Sequence, residues 1–316
     1  MANLSIGVGG IPLSSQTKTA ISGMQRINEL GLDLMELEFV YGVKMPENKA
    51  RELDKEAEKL GVNLTVHGPY YINLASVDNK IFYGSIKRIS DSIFIGGLAG
   101  AKSVTFHAAF YQGRTSEETL EFVKKAFEKI YATYDENRFK GHPAKQAQIV
   151  LAPELTGKPT QFGDLQELIS LAKDFTDNEL RFCVDFAHLY ARTNGKHNSY
   201  DEFMRIFDEI EVSLGDSYLQ KLHMHVSAIN FSEKGERNHL TFLQNFEDYV
   251  GVGIDIPQLE NEFTALKKKD KTNSSAFNWQ ELLKALKERQ IGGYLVCESP
   301  ILELDALLLK NYFRTL

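Results

Sequence analysis

Histidine and carboxylate side chains recur along this sequence at the ends of short apolar runs. His67, His107 and His225 are three of the imidazoles, and Glu154 and Glu298 are two of the carboxylates. Imidazole and carboxylate ligands without thiolate suit Zn, Mn or Fe better than Mg or Ca. Burying several such groups together is costly unless a positive charge lies between them, and a bound metal supplies that charge. The pattern predicts a metal site, provided that the fold brings these residues together.

The apolar runs alternate with longer amphipathic segments along the whole chain, which is the pattern of a βα repeat. Eight runs are predicted to be strands: Leu4–Gly9, Leu34–Val40, Leu64–Tyr70, Ser103–Ala109, Ile149–Leu155, Leu180–His188, Lys221–Ser227 and Gly293–Ser299. The predicted helices lie near 21–30, 46–60, 81–98, 117–134, 165–174, 200–210, 279–289 and 304–312. This order favours a single (β/α)8 TIM barrel with extended loops at its C-terminal face over a doubly wound open sheet.

The chain has 316 residues, a length that allows either two domains or one large barrel. The eight strands favour one domain over residues 1–316. The longest gap between strands covers residues 228–278, which we interpret as an extended loop between the seventh and eighth strands. Its polar stretch from Lys267 to Ser274 is predicted to be an exposed loop rather than a domain linker, because apolar segments lie on both sides.

Alternation along each strand predicts which side chains point into the barrel. In the third strand Leu64 and Val66 face the helices, so His67 faces inward. The same parity turns a histidine or carboxylate inward near the C-terminal end of every strand from the third to the eighth, where barrel enzymes build their active sites. These residues are His67, His107, Glu154, Asp185, His225 and Glu298, and His223 is a further inward residue that could orient a ligand.

Composition limits the classes of function. The net charge of -7 gives no general basic field, so it offers no reason to expect nonspecific binding to nucleic acid or membranes, although a local basic groove is still allowed. The two cysteines, Cys183 and Cys297, are too few for a disulfide scaffold. The sequence also contains no apolar run of about 18 residues. We expect a soluble cytoplasmic protein with no membrane partner and no obligate protein partner.

Several motifs resemble endonuclease IV, the apurinic/apyrimidinic-site endonuclease of the xylose isomerase-like barrel superfamily. The segment from His67 to Ser76 is similar to the HAPYLINLAS segment of that family. Further similar motifs follow in the same order: Thr105-Phe106-His107, Pro153-Glu154, Cys183-Val184-Asp185 with His188, His225-Val226-Ser227 and Cys297-Glu298-Ser299-Pro300. The resemblance implies a DNA-repair endonuclease that hydrolyses the phosphodiester 5′ to an abasic site in double-stranded DNA and leaves a 3′-hydroxyl.

The resemblance also implies a centre of three zinc ions, with Mn or Fe left open, in which Glu154 and Glu298 serve catalysis. The implied ligand sets are His67, His107 and Glu154 for the first metal, Glu154, Asp185, His225 and Glu298 for the second, and His188 and His239 for the third. The family's third site usually includes an Asp-x-His pair. Here Glu236 precedes His239 by three positions, so Glu236 is a candidate ligand whose spacing departs from the family pattern.

Contacts to DNA are implied on the loops at the barrel mouth. Tyr70 and Tyr71 follow the first histidine, as the DNA-penetrating residues of the family do, and aromatic packing under a loop is the alternative interpretation. The candidate phosphate contacts are Lys44, Arg114, Arg192, Lys196 and Arg237. Solvated surface charge is the alternative for each of these cations.

Two other functions are compatible with part of the pattern. Sugar isomerases and epimerases of the same superfamily use one metal held by Glu, Asp, His and Glu, which Glu154, Asp185, His225 and Glu298 would also satisfy. Such enzymes do not need the additional imidazoles, so His67, His107 and His239 favour the endonuclease. A barrel that binds damaged DNA or a metal without turnover is disfavoured, because no ligand position of the two better-matched sites is lost.

Overall fold

The computed structural model describes residues 4–136, 149–269 and 276–316. Its centre is an eight-stranded parallel sheet whose strands are β1 (Leu4–Gly9), β2 (Leu34–Glu38), β3 (Asn63–His67), β4 (Ser103–Phe106), β6 (Val150–Pro153), β8 (Cys183–Asp185), β9 (Leu222–Val226) and β12 (Gly293–Cys297). The strand order is β6-β4-β3-β2-β1-β12-β9-β8. Two single-residue bridges, Leu151 with Leu180 and Glu154 with Cys183, join the outer edges. The predicted (β/α)8 TIM barrel is confirmed.

Helices follow the strands and cover the outside of the sheet. They are α1 (Ala20–Glu29), α2 (Glu47–Leu60), α3 (Asn79–Leu98), α4 (Ser116–Glu136), α5 (Leu165–Ala172), α6 (Phe186–Arg192), α7 (Tyr200–Leu214), α8 (Asp216–Leu219), α9 (Phe246–Gly251), α10 (Glu260–Lys269), α11 (Trp279–Glu288) and α12 (Glu303–Thr315). The buried stripe of α2 is Ala50, Leu53 and Ala57, and the helix ends at Gly61 with a φ of 65°. A glycine in the left-handed conformation commonly ends a helix, and an apolar stripe of this kind packs against the core.

Short antiparallel pairs lie in the loops that leave the C-terminal ends of the barrel strands. β5 (Ala109–Phe110) pairs with β7 (Gln161–Phe162), and β10 (Ala228–Ser232) pairs with β11 (Gly235–Leu240). These pairs give defined structure to the loops around the barrel mouth. The mouth is therefore built partly from ordered hairpins and partly from the strand ends themselves.

Most strands end earlier than the alternation of residues predicts. β4 ends at Phe106 rather than Ala109, and β12 ends at Cys297 rather than Ser299. His107 and Glu298 consequently follow the last paired residues, where the backbone leaves the sheet. Parity still predicts their direction because the extended backbone alternates its side chains for a further residue or two beyond the ladder.

The sixth predicted strand, Leu180–His188, is wrong at both ends. β8 covers only Cys183–Asp185, and α6 begins at Phe186. Asp185 caps this helix, since its side chain accepts a hydrogen bond of 2.8 Å from the backbone N–H of His188. Aspartate is a preferred N-cap residue because its carboxylate satisfies a free helical N–H group. His188 therefore lies in the first turn of a helix rather than at a junction between strand and loop.

The region 228–278 contains more regular structure than the predicted loop. It holds the β10–β11 hairpin, α9, a 3-10 helix at Pro257–Leu259, and α10. Lys267–Lys269 form the last turn of α10, so the predicted exposed loop is wrong at its start, and residues 270–275 lie outside the described residues. Lysines in a last helical turn complement the negative end of the helix dipole.

Two predictions concern the chain as a whole. That residues 1–316 form one domain stays a prediction. Within the described ranges, no helix is both long enough and apolar enough to cross a membrane.

The closest approach between β1 and β2 depends on Gly7. Gly7 is in register with Leu34, and a Cβ atom at this position would lie 1.7 Å from the Leu34 carbonyl oxygen. Neither backbone can yield without opening the sheet. We expect Gly7→Ala to lower the free energy of unfolding by about 3 kcal/mol or more, or to prevent folding.

Gly251→Ala is the matched control, since nothing lies within 4 Å of a Cβ built at Gly251. It should change stability by less than about 1 kcal/mol. Urea unfolding followed by circular dichroism measures both variants. Equal stability of the two variants would show that the strands do not approach as closely as described.

Candidate metal centre

A cavity of about 290 Å³ opens at the C-terminal ends of the barrel strands. Its lining includes most of the predicted metal ligands: His67, His107, His188, His239, Glu154, Glu236 and Glu298. Asp185 and His225 are fully buried beside this lining. The structure thus brings together side chains from six barrel strands or the loops that follow them, together with the β10–β11 hairpin.

The first group of potential ligands surrounds Glu154. Its Oε2 lies 3.4 Å from Nε2 of His67, and its Oε1 lies 3.4 Å from Nε2 of His107. Two ligand atoms that are each about 2.1 Å from a tetrahedral zinc ion lie about 3.4 Å apart. The spacing of these three side chains therefore suits ligands arranged around one ion.

The second group shares Glu154 with the first. Nδ1 of His225 lies 3.3 Å from Oε1 of Glu298 and 3.7 Å from Oε1 of Glu154. Asp185 completes this group, in which one potential ligand atom from each of the four residues lies within 4.8 Å of the others. Glu154 belongs to both groups, since its Oε1 contacts His107 of the first and His225 of the second, so this carboxylate could serve as a ligand in both.

The third group contains His188, Glu236 and His239. Nε2 of His188 lies 2.7 Å from Oε2 of Glu236, and the rings of His188 and His239 are 5.8 Å apart. Glu298 adjoins this group as well, with Oε2 3.9 Å from Nδ1 of His239. Among the residues that the structure describes, this trio is looser than the first two groups: its potential ligand atoms do not all lie within 4.8 Å of one another.

A β-bulge explains how Glu236 reaches this group despite its spacing from His239. Residues three apart on a regular strand point to opposite faces of the strand. In the β10–β11 hairpin Asn230 pairs with Asn238 while Phe231 pairs with Glu236, so Arg237 is an extra residue in β11. Because of this extra residue, Glu236 and His239 point to the same face of the hairpin. Glu236 contacts His188, and Arg237 is exposed.

The loop opposite the hairpin leaves room for the Glu236 carboxylate. A Cβ atom at Gly157 would lie 2.3 Å from Oε2 of Glu236, so a larger residue would displace that oxygen. Nζ of Lys158, the next residue, lies 3.3 Å from Oε1 of Glu236. Gly157 therefore leaves space for the Glu236 carboxylate beside His188, and the ammonium group of Lys158 contacts its other oxygen.

Hydrogen bonds fix which nitrogen of three imidazoles faces the cavity. Nδ1 of His67 donates to the Gly68 carbonyl oxygen at 2.8 Å, and Nδ1 of His188 donates to the Leu155 carbonyl oxygen at 3.0 Å. Because a carbonyl oxygen only accepts, these Nδ1 atoms carry protons, and Nε2 is the nitrogen left to bind a metal once its own proton is lost. Nδ1 of His239 lies 2.9 Å from the Ser227 hydroxyl, in a similar arrangement.

Buried atoms without partners test whether the residues fit a cation. Among the described residues, Glu154 Oε1, Asp185 Oδ2, His225 Nδ1 and Glu236 Oε2 are buried and have no hydrogen-bond partner. Burying such polar atoms without compensation is unfavourable, and each belongs to one of the three groups. The available ligands are imidazoles and carboxylates, so the site fits zinc, manganese or iron.

The charges within the site shift several pKa values. Burial alone would lower the pKa of His67, but Glu154 and nearby carboxylates raise it to about 10. The pKa values of His188 and His225 are also raised, because the carboxylates around them outweigh the effect of burial. Burial raises the pKa of Asp185 to about 6. Without metal, protons on the imidazoles balance the carboxylates, a role that bound cations would take over.

A further buried carboxylate, which the alternation in the third to eighth strands does not cover, contacts this site. Glu36, in the middle of β2, is fully buried, and its Oε1 lies 3.0 Å from Nε2 of His225. Met35 lies near Gly23 of α1 and so faces the helices, which turns its neighbour Glu36 into the barrel. The alternation that gives the direction of side chains in the third to eighth strands also predicts an inward Glu36.

The candidate DNA contacts have different surroundings. Tyr70 and Tyr71 are exposed, and the ring of Tyr70 lies 5.7 Å from the His67 ring at the cavity edge. Arg237 is exposed on β11. Arg192 is not free to contact phosphate, because its guanidinium donates to the carbonyl oxygens of Thr156, Lys158 and Gln161. The sequence could not show that these acceptors converge on Arg192.

The raised pKa values predict that metal binding releases protons. His67 has a pKa of about 10 in the metal-free protein, so it is protonated at pH 7 and must lose a proton before it can bind a metal. We expect zinc binding at pH 7 to release more than one proton per chain and the apparent affinity to rise between pH 6 and pH 9. Calorimetry in buffers of different ionisation enthalpy counts these protons, and heats that do not depend on the buffer would contradict the prediction.

The hairpin geometry predicts the role of Glu236. Glu236→Gln keeps the size of the side chain but removes its negative charge, so we expect one metal equivalent fewer per chain after desalting. Glu233→Gln is the matched control, since Glu233 is exposed in the turn of the same hairpin. Elemental analysis measures both variants, and full metal content in Glu236→Gln would show that this carboxylate is not a ligand.

Comparison with known proteins identifies relatives over the whole barrel. The family described as xylose isomerase-like TIM barrel matches residues 24–311. An uncharacterized protein of Methanocaldococcus jannaschii is 33% identical over 313 residues, covering 99% of this chain and 98% of the relative. A probable endonuclease 4 of Mycoplasma genitalium is 26% identical over 200 residues, which is 62% of each chain.

Solved structures with the same fold include proteins of two different kinds. A D-tagatose 3-epimerase-like protein has a TM-score of 0.65 at 18% identity and covers 98% of this chain and 96% of its own. Endonuclease IV from Thermus thermophilus has a TM-score of 0.64 at 17% identity and covers 98% of both chains. At such identities the structural likeness shows the fold alone. The resemblance to the endonuclease IV family is confirmed by these matches together, and the chain belongs to the xylose isomerase-like TIM barrel family.

Proposed function

We propose that this protein is a metal-dependent DNA-repair endonuclease that hydrolyses the phosphodiester 5′ to an abasic site and leaves a 3′-hydroxyl. The observation that carries the proposal is the position of Glu154 between two groups of ligands. Its oxygens lie 3.4 Å from His67 and His107 on one side and 3.7 Å from His225 on the other. One ion would need only one of these groups, so the cavity is suited to more than one.

The residues fit zinc, which we propose as the cofactor, with three ions held by the three groups. When bound, such ions supply positive charge that polarises a water molecule and stabilises the negative charge of a phosphodiester undergoing hydrolysis. The protein contributes the arrangement of ligands. Hydrogen bonds donated by Nδ1 of His67 and His188 leave Nε2 of each ring facing the cavity.

Glu298 is the carboxylate best placed to contact a water molecule. It lies between the second and third groups, 3.3 Å from His225 and 3.9 Å from His239, and 17% of its side chain is exposed to the cavity. Burial would raise its pKa, but His225 and His239 lower it to about 2. The group is therefore ionised at neutral pH and can accept a hydrogen bond from a water O–H.

Aromatic side chains at the cavity edge support a nucleic-acid substrate. Tyr41, Tyr70 and Tyr71 are 72%, 52% and 65% exposed, and the rings of Tyr41 and Tyr70 are 6.1 Å apart in an edge-to-face contact. Phe110 is partly exposed and lines the same cavity as Tyr70. Exposed rings of this kind stack on bases, and an abasic site already lacks one base of the stack. We infer that Tyr70 and Tyr71 enter the gap at the lesion.

The charge of the site must change before it can accept DNA. The chain has a net charge of -7, and the mouth holds the carboxylates Glu154, Glu236 and Glu298. Bound cations would neutralise these groups, and the exposed Arg237 beside the third group could then contact a phosphate. DNA binding is therefore expected to depend on the metals as much as catalysis does.

A sugar epimerase is the second candidate, and one specific observation favours it. The group of Glu154, Asp185, His225 and Glu298 is complete without the remaining imidazoles. A D-tagatose 3-epimerase-like protein is also among the proteins with this fold. The position of His67 and His107 against Glu154 is not explained by this function, and it is the reason for preferring the endonuclease.

A nicking assay on a duplex with one abasic site tests the proposal. We expect zinc-loaded protein to cut the strand 5′ to the lesion, and a chelator to abolish cutting. Glu154→Gln should reduce the rate at least about 1000-fold, because a neutral amide cannot serve as a bridging anionic ligand.

The same preparations are tested for epimerisation of free ketoses with zinc or manganese. Cutting of the abasic duplex without cutting of an undamaged duplex supports the endonuclease. Epimerisation by wild-type protein with no cutting of either duplex would contradict it and establish the second candidate.

A further inference from the structure

A line of buried polar contacts runs from the barrel interior to the metal centre. The Ser103 hydroxyl lies 2.9 Å from Nδ1 of His223, and Nε2 of His223 lies 3.0 Å from Oε2 of Glu36. Oε1 of Glu36 lies 3.0 Å from Nε2 of His225, whose Nδ1 faces Glu298 at 3.3 Å. The Thr65 hydroxyl also donates to Oε2 of Glu36 at 2.7 Å. Glu36 is thus the meeting point of contacts from three neighbouring side chains.

His225 differs from His67 and His239 in the group behind it. His67 uses a backbone carbonyl oxygen for the nitrogen that does not face the cavity, and His239 uses a serine hydroxyl. Nδ1 of His188 contacts the Leu155 carbonyl oxygen and also the metal-site carboxylates of Glu154 and Asp185. His225 has the carboxylate of Glu36 instead. A carboxylate behind a metal-binding histidine holds the ring, fixes its tautomer and makes the other nitrogen a stronger ligand.

These contacts compensate several atoms that are otherwise buried without a partner. Among the described residues, Glu36 Oε1, His223 Nε2 and His225 Nε2 are buried and make no well-aligned hydrogen bond, so the ion-pair contacts of 3.0 Å are what compensates them. All three residues are at most 1% exposed, so water cannot replace a lost contact at the surface. Removing one member leaves the others uncompensated, and such losses are unfavourable in the protein interior.

We propose that Glu36 is a positioning residue of the metal centre. It accepts the Nε2–H of His225 and so presents the Nδ1 lone pair to Glu154, Asp185 and Glu298. Thr65 and His223 hold Glu36 in turn, and the Ser103 hydroxyl, by donating to Nδ1 of His223, leaves the proton of that ring on Nε2. The inference rests on the metal centre of the proposed function, but not on DNA as the substrate.

A metal ion deep in the barrel is the competing explanation. Cys183, His223 and His225 also place one potential ligand atom each within 4.8 Å of one another. A metal there would require a thiolate and the Nε2 lone pairs of the histidines. Burial raises the pKa of the Cys183 thiol to about 12, so a metal there would have to displace the thiol proton as well as free a lone pair on each histidine. The ion-pair contacts of Glu36 with His223 and His225, together with the hydrogen bonds of Thr65 and Ser103, account for the same arrangement without an ion.

Cobalt affinity, measured by competition with a chromophoric chelator, tests the proposal in Glu36→Gln and Glu36→Ala. Glutamine has one oxygen that accepts, so it cannot serve both His223 and His225. We expect Glu36→Gln to weaken binding of one cobalt equivalent by about 10- to 100-fold, and Glu36→Ala to weaken it at least as much.

Glu303→Gln is the matched control. Glu303 is also fully buried, and it accepts hydrogen bonds from the backbone N–H groups of Leu13 and Ser14 at 2.9 and 2.7 Å. This variant should lose stability without losing cobalt affinity. Circular dichroism shows which variants remain folded, and nitrogen NMR of zinc-loaded wild-type protein shows which nitrogen of His225 carries the proton.

The outcomes separate this inference from the proposed function. A proton on Nε2 of His225 and weaker cobalt binding in folded Glu36→Gln support the positioning role. Unchanged affinity in that variant, a proton on Nδ1, or a fourth wild-type equivalent that is lost in Cys183→Ser would overturn it. Wild-type protein that binds cobalt but does not cut an abasic duplex would overturn the function alone, while protein that binds no cobalt would overturn both.

Discussion

The structure depends on how the charge of one buried carboxylate is balanced. Glu154 is 1% exposed, and four imidazoles surround it: those of His67, His107, His188 and His225 lie between 3.0 and 3.7 Å from its oxygens. Burial disfavours the charged carboxylate, yet positive charge on these rings lowers its pKa well below the usual value. Protons or metal ions can provide that positive charge, and only metal ions can do so while the imidazoles remain neutral ligands.

The surrounding architecture follows from this requirement. Parallel strands bring their C-terminal ends to one mouth, so residues more than two hundred positions apart in the sequence can meet there. The backbone carbonyl oxygens of Gly68 and Leu155 orient His67 and His188, and the carboxylate of Glu36 lies behind His225. The bulge at Arg237 returns Glu236 to the same face as His239. Each feature is local, but together they place ligands around shared carboxylates.

The alternation of residues could predict the barrel and the direction of most site residues. His67, Glu154 and Glu298 lie near strand ends, where a period of two determines which way a side chain points. The helical position of His188 required the recognition of Asp185 as an N-cap, and the role of Arg192 required knowledge of three carbonyl groups distant from it in sequence. The contact between Glu236 and His188 could not be derived from spacing alone, because a bulge changes the parity. Glu36 could have been found by applying the same alternation to β2.

The most direct test of the account is anomalous diffraction at the zinc absorption edge from crystals of the zinc-loaded protein. The account predicts ions on both sides of Glu154, one beside His67 and His107 and another beside Asp185, His225 and Glu298. A single anomalous peak beside Asp185, with no ion at His67 and His107, would contradict the bridging role of Glu154 and favour a single-metal enzyme.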